Sequence, residues 1–236
     1  MATLLSALEV HVRYHLSETT ASYWSSAELV GHMNLGMKDL WRSINDLHQE
    51  HFCTVDTTNV SQTASATTLT GVPSDVARVH LIEPRDLSVS GTSRTLAYRP
   101  KDYAHPDFQA ARSASAIDPS SQVIWYTLHG AGGPVAAPTI YVAPMVNTAV
   151  NLTLVYVPTL TAKTTSDNNP IPGESDQAII AWTVAHARAK EREDRAPDPS
   201  WLTIYSTEKQ NLLVSLTPRQ TQEPQVAEAM FEAFWP

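Results

Sequence analysis

The chain has 236 residues, of which 42% are hydrophobic and 17% charged, with a formal net charge of −8. That length buries a real core, as one larger domain or two small ones. The acidic balance argues against a protein that grips nucleic acid through a basic surface, and the single cysteine, Cys53, excludes an intrachain disulfide framework.

The N-terminal stretch MATLLSALEVHVRYHL is interrupted by Glu9, His11 and Arg13, so no signal peptide is expected. No run approaches the roughly 18 apolar residues of a spanning helix. The expected setting is a reducing cytosol without membrane attachment.

Residues 3–16 read as a short amphipathic helix with Leu4, Leu5, Leu8 and Val12 on one side. His11 and His15 are four apart, but no third ligand sits at local spacing, and they read as partly exposed helix residues. A better-written helix follows. Ser25 and Glu28 have capping-box spacing, and Trp24 and Leu29 flank them as a hydrophobic staple. Its stripe is Leu29, Met33, Met37, Leu40, Ile44 and Leu47, with Val30 and Trp41 beside it. Asn34, Lys38, Arg42 and Asn45 form its polar side. Met33 and Met37 read as core filling. His48, His51 and Cys53 spell half of a zinc site, but no second cysteine exists to complete one.

From residue 52 the pattern is of strands. Thr-rich segments lead to VPSD (Val72–Asp75), a turn before the strand VARVHLIE. A loop with an edge strand comes next, then a short helical excursion that Pro106 should bend or break. Three clearer strands alternate: Val123–Leu128, Ile140–Val142, and a last one with Val150, Leu152, Leu154 and Tyr156 on one face. The turn GAGGP lacks the Lys-Ser/Thr ending of a phosphate loop and reads as a hairpin. Successive strands with short turns imply an antiparallel sheet or a small sandwich.

A polar linker leads into a helix pair. Its first helix is apolar around most of its girth: Ile180, Val184 and Ala187 on one side, Ala178, Ala181, Ala185 and Ala189 on a second, Ile179, Trp182 and His186 on a third. Such a helix is buried against more than one neighbour, and the alanine row lets another helix approach closely, from the same chain or from a second subunit. The helix is expected to continue into the mixed-charge run RAKEREDR with helical ion pairs. Asp198 caps the second helix and Pro199 occupies its first position. Its stripe is Trp201, Leu202, Tyr205, Leu212, Leu213 and Leu216, and Pro218 stops it.

The last residues form a tail behind two prolines. Val226, Met230 and Phe234 make a helical stripe with Ala229 and Ala233, and Phe231 and Trp235 lie beside it. So short a helix is marginal alone; it either docks on its own domain or enters a partner's groove. The expected fold is α+β: a helical bundle of two N-terminal and two C-terminal helices (1–51 and 170–217), a β-rich domain (52–169) holding the sheet or sandwich, and an extended C-terminal tail (218–236).

No G-x-S-x-G elbow, H-E-x-x-H pair or nucleotide fingerprint is present, and the nine histidines show no local pairing. No catalytic residue, metal or cofactor is therefore assigned. Four segments, in order, carry a likeness instead: YWSSAELVGHMNLGMKDLW, GVPSDVARVHLIE, TIYVAPMVNTAVNLTLVYVPTL and IPGESDQAIIAWTVAHARAKERED. Their order resembles the head-to-tail adaptor (connector) proteins of tailed bacteriophages over nearly the whole chain. Residues 84–121 match nothing in that pattern.

The resemblance implies a non-enzymatic virion component, made in the host cytoplasm and placed in the virion neck. It implies a homo-oligomeric ring, commonly twelve copies, beneath the portal protein. Such a ring extends the DNA channel, touches viral DNA only transiently and docks tail or nozzle proteins. The helices would build the ring and the β-region would project. Met230, Phe231, Phe234 and Trp235 become the candidate contact to the portal or a neighbouring subunit, and Ala178, Ala181, Ala185 and Ala189 the candidate ring packing. Competing readings are a stopper or tail-tube terminator, a β-rich hydrolase, or a carbohydrate- or receptor-binding β-module.

Overall fold

A computed structural model of the chain describes residues 3–18, 23–47, 51–85, 97–117, 123–130, 138–192 and 195–216. In chain order the elements are α1 (Leu5–His15), α2 (Ser26–Leu47), β1 (Thr54–Asp56), β2 (Ser61–Gln62), β3 (Val76–Pro84), β4 (Ala97–Pro100), α3 (Pro106–Arg112), β5 (Val123–His129), β6 (Thr139–Ala143), β7 (Val150–Pro158), α4 (Asp176–Arg188) and α5 (Pro199–Leu216). The fold is α+β. Contacts group the chain into two compact units, Met1–His48 with Ala162–Pro236, and Gln49–Thr161.

In the helical unit, α4 packs against α1, α2 and α5. Its all-round apolar character has that cause: Ile179, Ile180, Ala181, Val184 and Ala185 are all buried. Five of the six stripe residues of α2 are fully buried, including Met33 and Met37, while Leu47 at the helix end is 63% exposed. The Ser25 hydroxyl accepts the Glu28 N–H at 3.2 Å, as a capping box requires. The Glu28 carboxylate, however, turns to Lys190 Nζ at 3.1 Å.

Three expectations for these helices need correction. Leu4 precedes α1 and is half exposed, because it bridges to Asn168 instead of entering the helix. Asn45 is buried and does not belong to the polar side of α2. The helix α4 ends at Arg188, the first residue of the charged run. There Arg188 turns to Asp198 at 3.3 Å and Lys190 to Glu28, so these cations tie the end of α4 to its neighbours. Asp198 does cap α5, its carboxylate accepting the Ser200 N–H at 3.0 Å.

In the β unit, β7 is the central strand of a four-stranded antiparallel sheet, with β1 and β2 along one edge and β3 on the other. Val150, Leu152, Leu154 and Tyr156 face its core as the alternation implied. Burial along β3 does not alternate, because the register shifts between Val76 and Arg78 and again between Val79 and Leu81. A second sheet runs β4–β5–β6, antiparallel between β5 and β6 but parallel between β4 and β5. Pro106 begins α3 and does not break it. His105 caps it, its ring accepting the Asp107 N–H at 3.2 Å, and Pro106 takes the first helical position, where its missing N–H costs nothing.

Candidate interaction surfaces

Two polar clusters tie helices of the helical unit to one another. At the start of the bundle, Arg13 is only 7% exposed. Its guanidinium reaches Glu9 at 2.8 Å, Glu18 at 3.1 Å, the Trp24 carbonyl at 3.1 Å and the Ser26 hydroxyl at 3.2 Å. One planar cation with several donors thus fastens α1 to the segment that opens α2. In the sequence Glu9 and Arg13 read only as interruptions of an apolar stretch. Their four-residue spacing, each directly after a core residue (Leu8 and Val12), was the available signal of a pair pointing inward.

The second cluster joins α2, α4 and α5. The Lys209 ammonium lies 2.6 Å from Asp39 Oδ2, and the Tyr205 hydroxyl donates to the same oxygen. Burial alone would raise the Asp39 carboxyl, but the hydrogen bonds from Lys209 and Tyr205 outweigh it and hold it below the usual range. Burial, then the bonded Asp39, pushes the Tyr205 phenol well above its ordinary value. Trp182 stacks on His186 with ring centroids 4.1 Å apart and meets Tyr205 edge-on at 4.9 Å. His32 lies 6.0 Å from His186. Burial, with the nearby His186, lowers the affinity of His32 for a proton despite the opposing Glu28. Gly36 makes this seam possible, because a Cβ there would stand 2.8 Å from Trp182 Cδ1.

Besides Leu35 and Leu47 on α2, the outer faces of α1 and α5 carry exposed apolar side chains. On α1 they are Val10 (67% exposed) and Tyr14 (76%); on α5, Ile204 (44%) and Val214 (71%). Ala178, Ala181 and Ala185 are closed off inside the chain's own bundle, and Ala189, just past α4, is half-buried. Met230, Phe231, Phe234 and Trp235 lie outside the described residues. So does His48; His51 is exposed and Cys53 half-buried, and no group of three or more candidate metal ligands occurs among the described residues.

The β unit has an open groove of about 600 Å³ between β3 and the ends of β4 and β5, lined by Arg78, His80, Lys101 and Tyr126 among others. Lys101 is engaged in the fold, 2.7 Å from Asp107 and 4.1 Å above the Trp125 ring. No described helix is long and apolar enough to cross a membrane.

These are the features of a scaffold: tied helices, a double-layered β unit and apolar faces turned outward. The model of the SU10 adaptor protein family matches residues 2–227, nearly the whole chain. The chain belongs to that family and is a bacteriophage adaptor, a structural component of the virion neck that works with portal and tail components. No curated protein matches it.

Proposed function

We propose that copies of this protein form a closed ring beneath the portal, extend the DNA channel and offer the tail its docking face, without catalysing a reaction. The observation that carries this reading is the family match across residues 2–227. Twelve copies per ring is the expected number, as the resemblance implies. A ring built from identical neighbours uses two different patches on each subunit. The outward faces of α1, with Val10 and Tyr14, and of α5, with Ile204 and Val214, supply two such patches in the helical unit. The alanine row acts on the ring indirectly: Ala178, Ala181 and Ala185 set how closely α4 holds the helices that carry those faces.

Met230, Phe231, Phe234 and Trp235 are the proposed contact to the portal or to a neighbouring subunit. The net charge of −8 suits a channel through which DNA slides without being gripped. Assembly from the host cytoplasm completes the reading. Electron microscopy of the purified protein mixed with portal rings tests it. An added annulus on one face of the portal supports the proposal; portal rings left bare at saturating subunit concentration overturn it.

A further inference from the structure

Helix α1 turns its charges inward. Its only acidic and basic residues besides histidine, Glu9 and Arg13, are buried and bonded to each other, while its exposed positions are Ser6, Ala7, Val10, His11 and Tyr14. Helix α5 repeats the arrangement. Its two charged residues, Glu208 and Lys209, are not among its exposed positions, and Lys209 turns to Asp39. Every exposed side chain along α5, from Pro199 to Ser215, is uncharged. The outer face of α2 differs, since Leu35 shares it with Lys38, Arg42 and Asp46, all exposed. A helix face left to solvent ordinarily carries charged and polar residues, whereas the centre of a protein interface is depleted in charge.

The exposed apolar residues also fall into stripes. On α1, Ala7, Val10 and Tyr14 share one side at spacings of three and four residues; on α5, Ile204, Thr207, Asn211 and Val214 do. Each stripe points away from the buried side of its helix, which carries Leu5, Leu8 and Val12 on α1 and Tyr205 and Leu212 on α5.

Bonds at the helix ends give direction and level. α1 runs with α4: the Thr3 hydroxyl donates to Asp176 at 2.6 Å at its start, and Arg188 Nη2 donates to the His15 carbonyl at 2.9 Å at its end. α5 runs against α4, from Asp198, 3.3 Å from Arg188, to Ser215, whose hydroxyl donates to Glu174. The His15 and Trp201 rings meet at 4.9 Å and set the end of α1 level with the start of α5. Measured from that contact, Val10 lies about 8 Å along its helix and Thr207 about 9 Å, while Val214 lies about 20 Å along. Copies in a closed ring are related by rotation alone, so helices that pack side by side across a joint keep the levels they have within one copy.

We propose that the joint between neighbouring copies is an antiparallel helix pair, α1 of one copy against α5 of the next, with Val10 beside Thr207 and Tyr14 beside Ile204. The pairing rests on the ring reading above and gives that ring its contact. No charge has to leave water when it forms, because both helices have already turned theirs into their own bundle.

Disulfide trapping between two single-cysteine proteins tests the pairing, with Cys53→Ser as background. One protein carries Val10→Cys and the other Thr207→Cys; they are mixed, assembled on portal rings and oxidised. With the cysteines on different chains, only a joint between copies can link them. The expected result is a disulfide dimer from the mixture, none from either protein alone, and loss of the dimer when Val214→Cys replaces Thr207→Cys. Equal cross-linking at positions 207 and 214, or a dimer from either protein alone, overturns the pairing. So does an absent cross-link on an annulus that micrographs show to be complete, which leaves the ring reading standing. Portal rings that stay bare overturn both.

Discussion

Lys209 on α5 sets its ammonium 2.6 Å from the Asp39 carboxylate on α2, and Tyr205 donates its hydroxyl to the same oxygen. Two turns of α5 are thereby fixed to the middle of α2 by one acceptor. Charge-assisted hydrogen bonds are the stronger kind, although partial exposure of Asp39 discounts them. Asp39→Ala should destabilise the protein by about 1–3 kcal/mol, with Asp39→Asn intermediate. Urea unfolding followed by circular dichroism measures the difference.

Stability should fall in acid in two steps. His32 binds a proton less readily in the fold than when unfolded, so its contribution is present above pH 6.5, the ordinary histidine value, and is lost as pH falls below it. Asp39 is likewise lowered, so its contribution is present above 3.8 and lost on further acidification through its folded value. Tyr205 is raised, so its contribution is present below 10.0 and is lost at higher pH. Melting temperatures across this range should show the first acid step flattened in His32→Phe and the second in Asp39→Asn.

Packing around α4 separates paired substitutions at similar chemistry. Gly36→Ala drives a Cβ to within 2.8 Å of the Trp182 ring and should cost about 1–3 kcal/mol. Gly31→Ala on the same helix meets nothing within 4 Å and should stabilise by about 0.5–1 kcal/mol. Ala185→Leu, fully buried, should cost about 1–3 kcal/mol, while Ala189→Leu, half-buried, should be milder. Denaturant midpoints for the four variants decide the order.

The buried Arg13 cluster should behave asymmetrically. Arg13→Ala leaves Glu9 and Glu18 without their shared cation and should cost about 3–5 kcal/mol. Replacing the group together, as Glu9→Leu, Arg13→Met and Glu18→Gln, should cost less than the single change, since no charge is then stranded. Thermal unfolding of both proteins checks the ranking.

The outer face of α1 should matter to assembly and not to folding. Val10 and Tyr14 are 67% and 76% exposed, so Val10→Glu with Tyr14→Lys should change monomer stability by less than about 1 kcal/mol. The same protein should fail to form rings, as sedimentation velocity would show. Rings of unchanged size would remove α1 from the subunit interface.

Periodicity revealed what depended on one element alone. The stripe of α2, the alternation of β7 and the all-round apolar α4 follow directly from residue spacing, because burial there repeats with the element. What pattern could not show was set by distant partners. Arg13 is buried because Glu9, Glu18 and the Trp24 carbonyl surround it, and α4 stops at Arg188 although charged helix formers continue. The bulges of β3 and the parallel β4–β5 pair arise from pairing across the unit. Pro106 looked like a breaker because its role depends on whether a helix begins before it or at it. The exposed apolar residues on α1 and α5 could not be separated from core residues until the bundle had chosen its inner faces.

The most direct measurement is the mass of the complex formed when portal rings are saturated with this protein. The expected result is one discrete product, heavier than the portal by twelve copies of the 25.9 kDa chain. A portal mass that stays unchanged, or rises without a fixed number of copies, would contradict it.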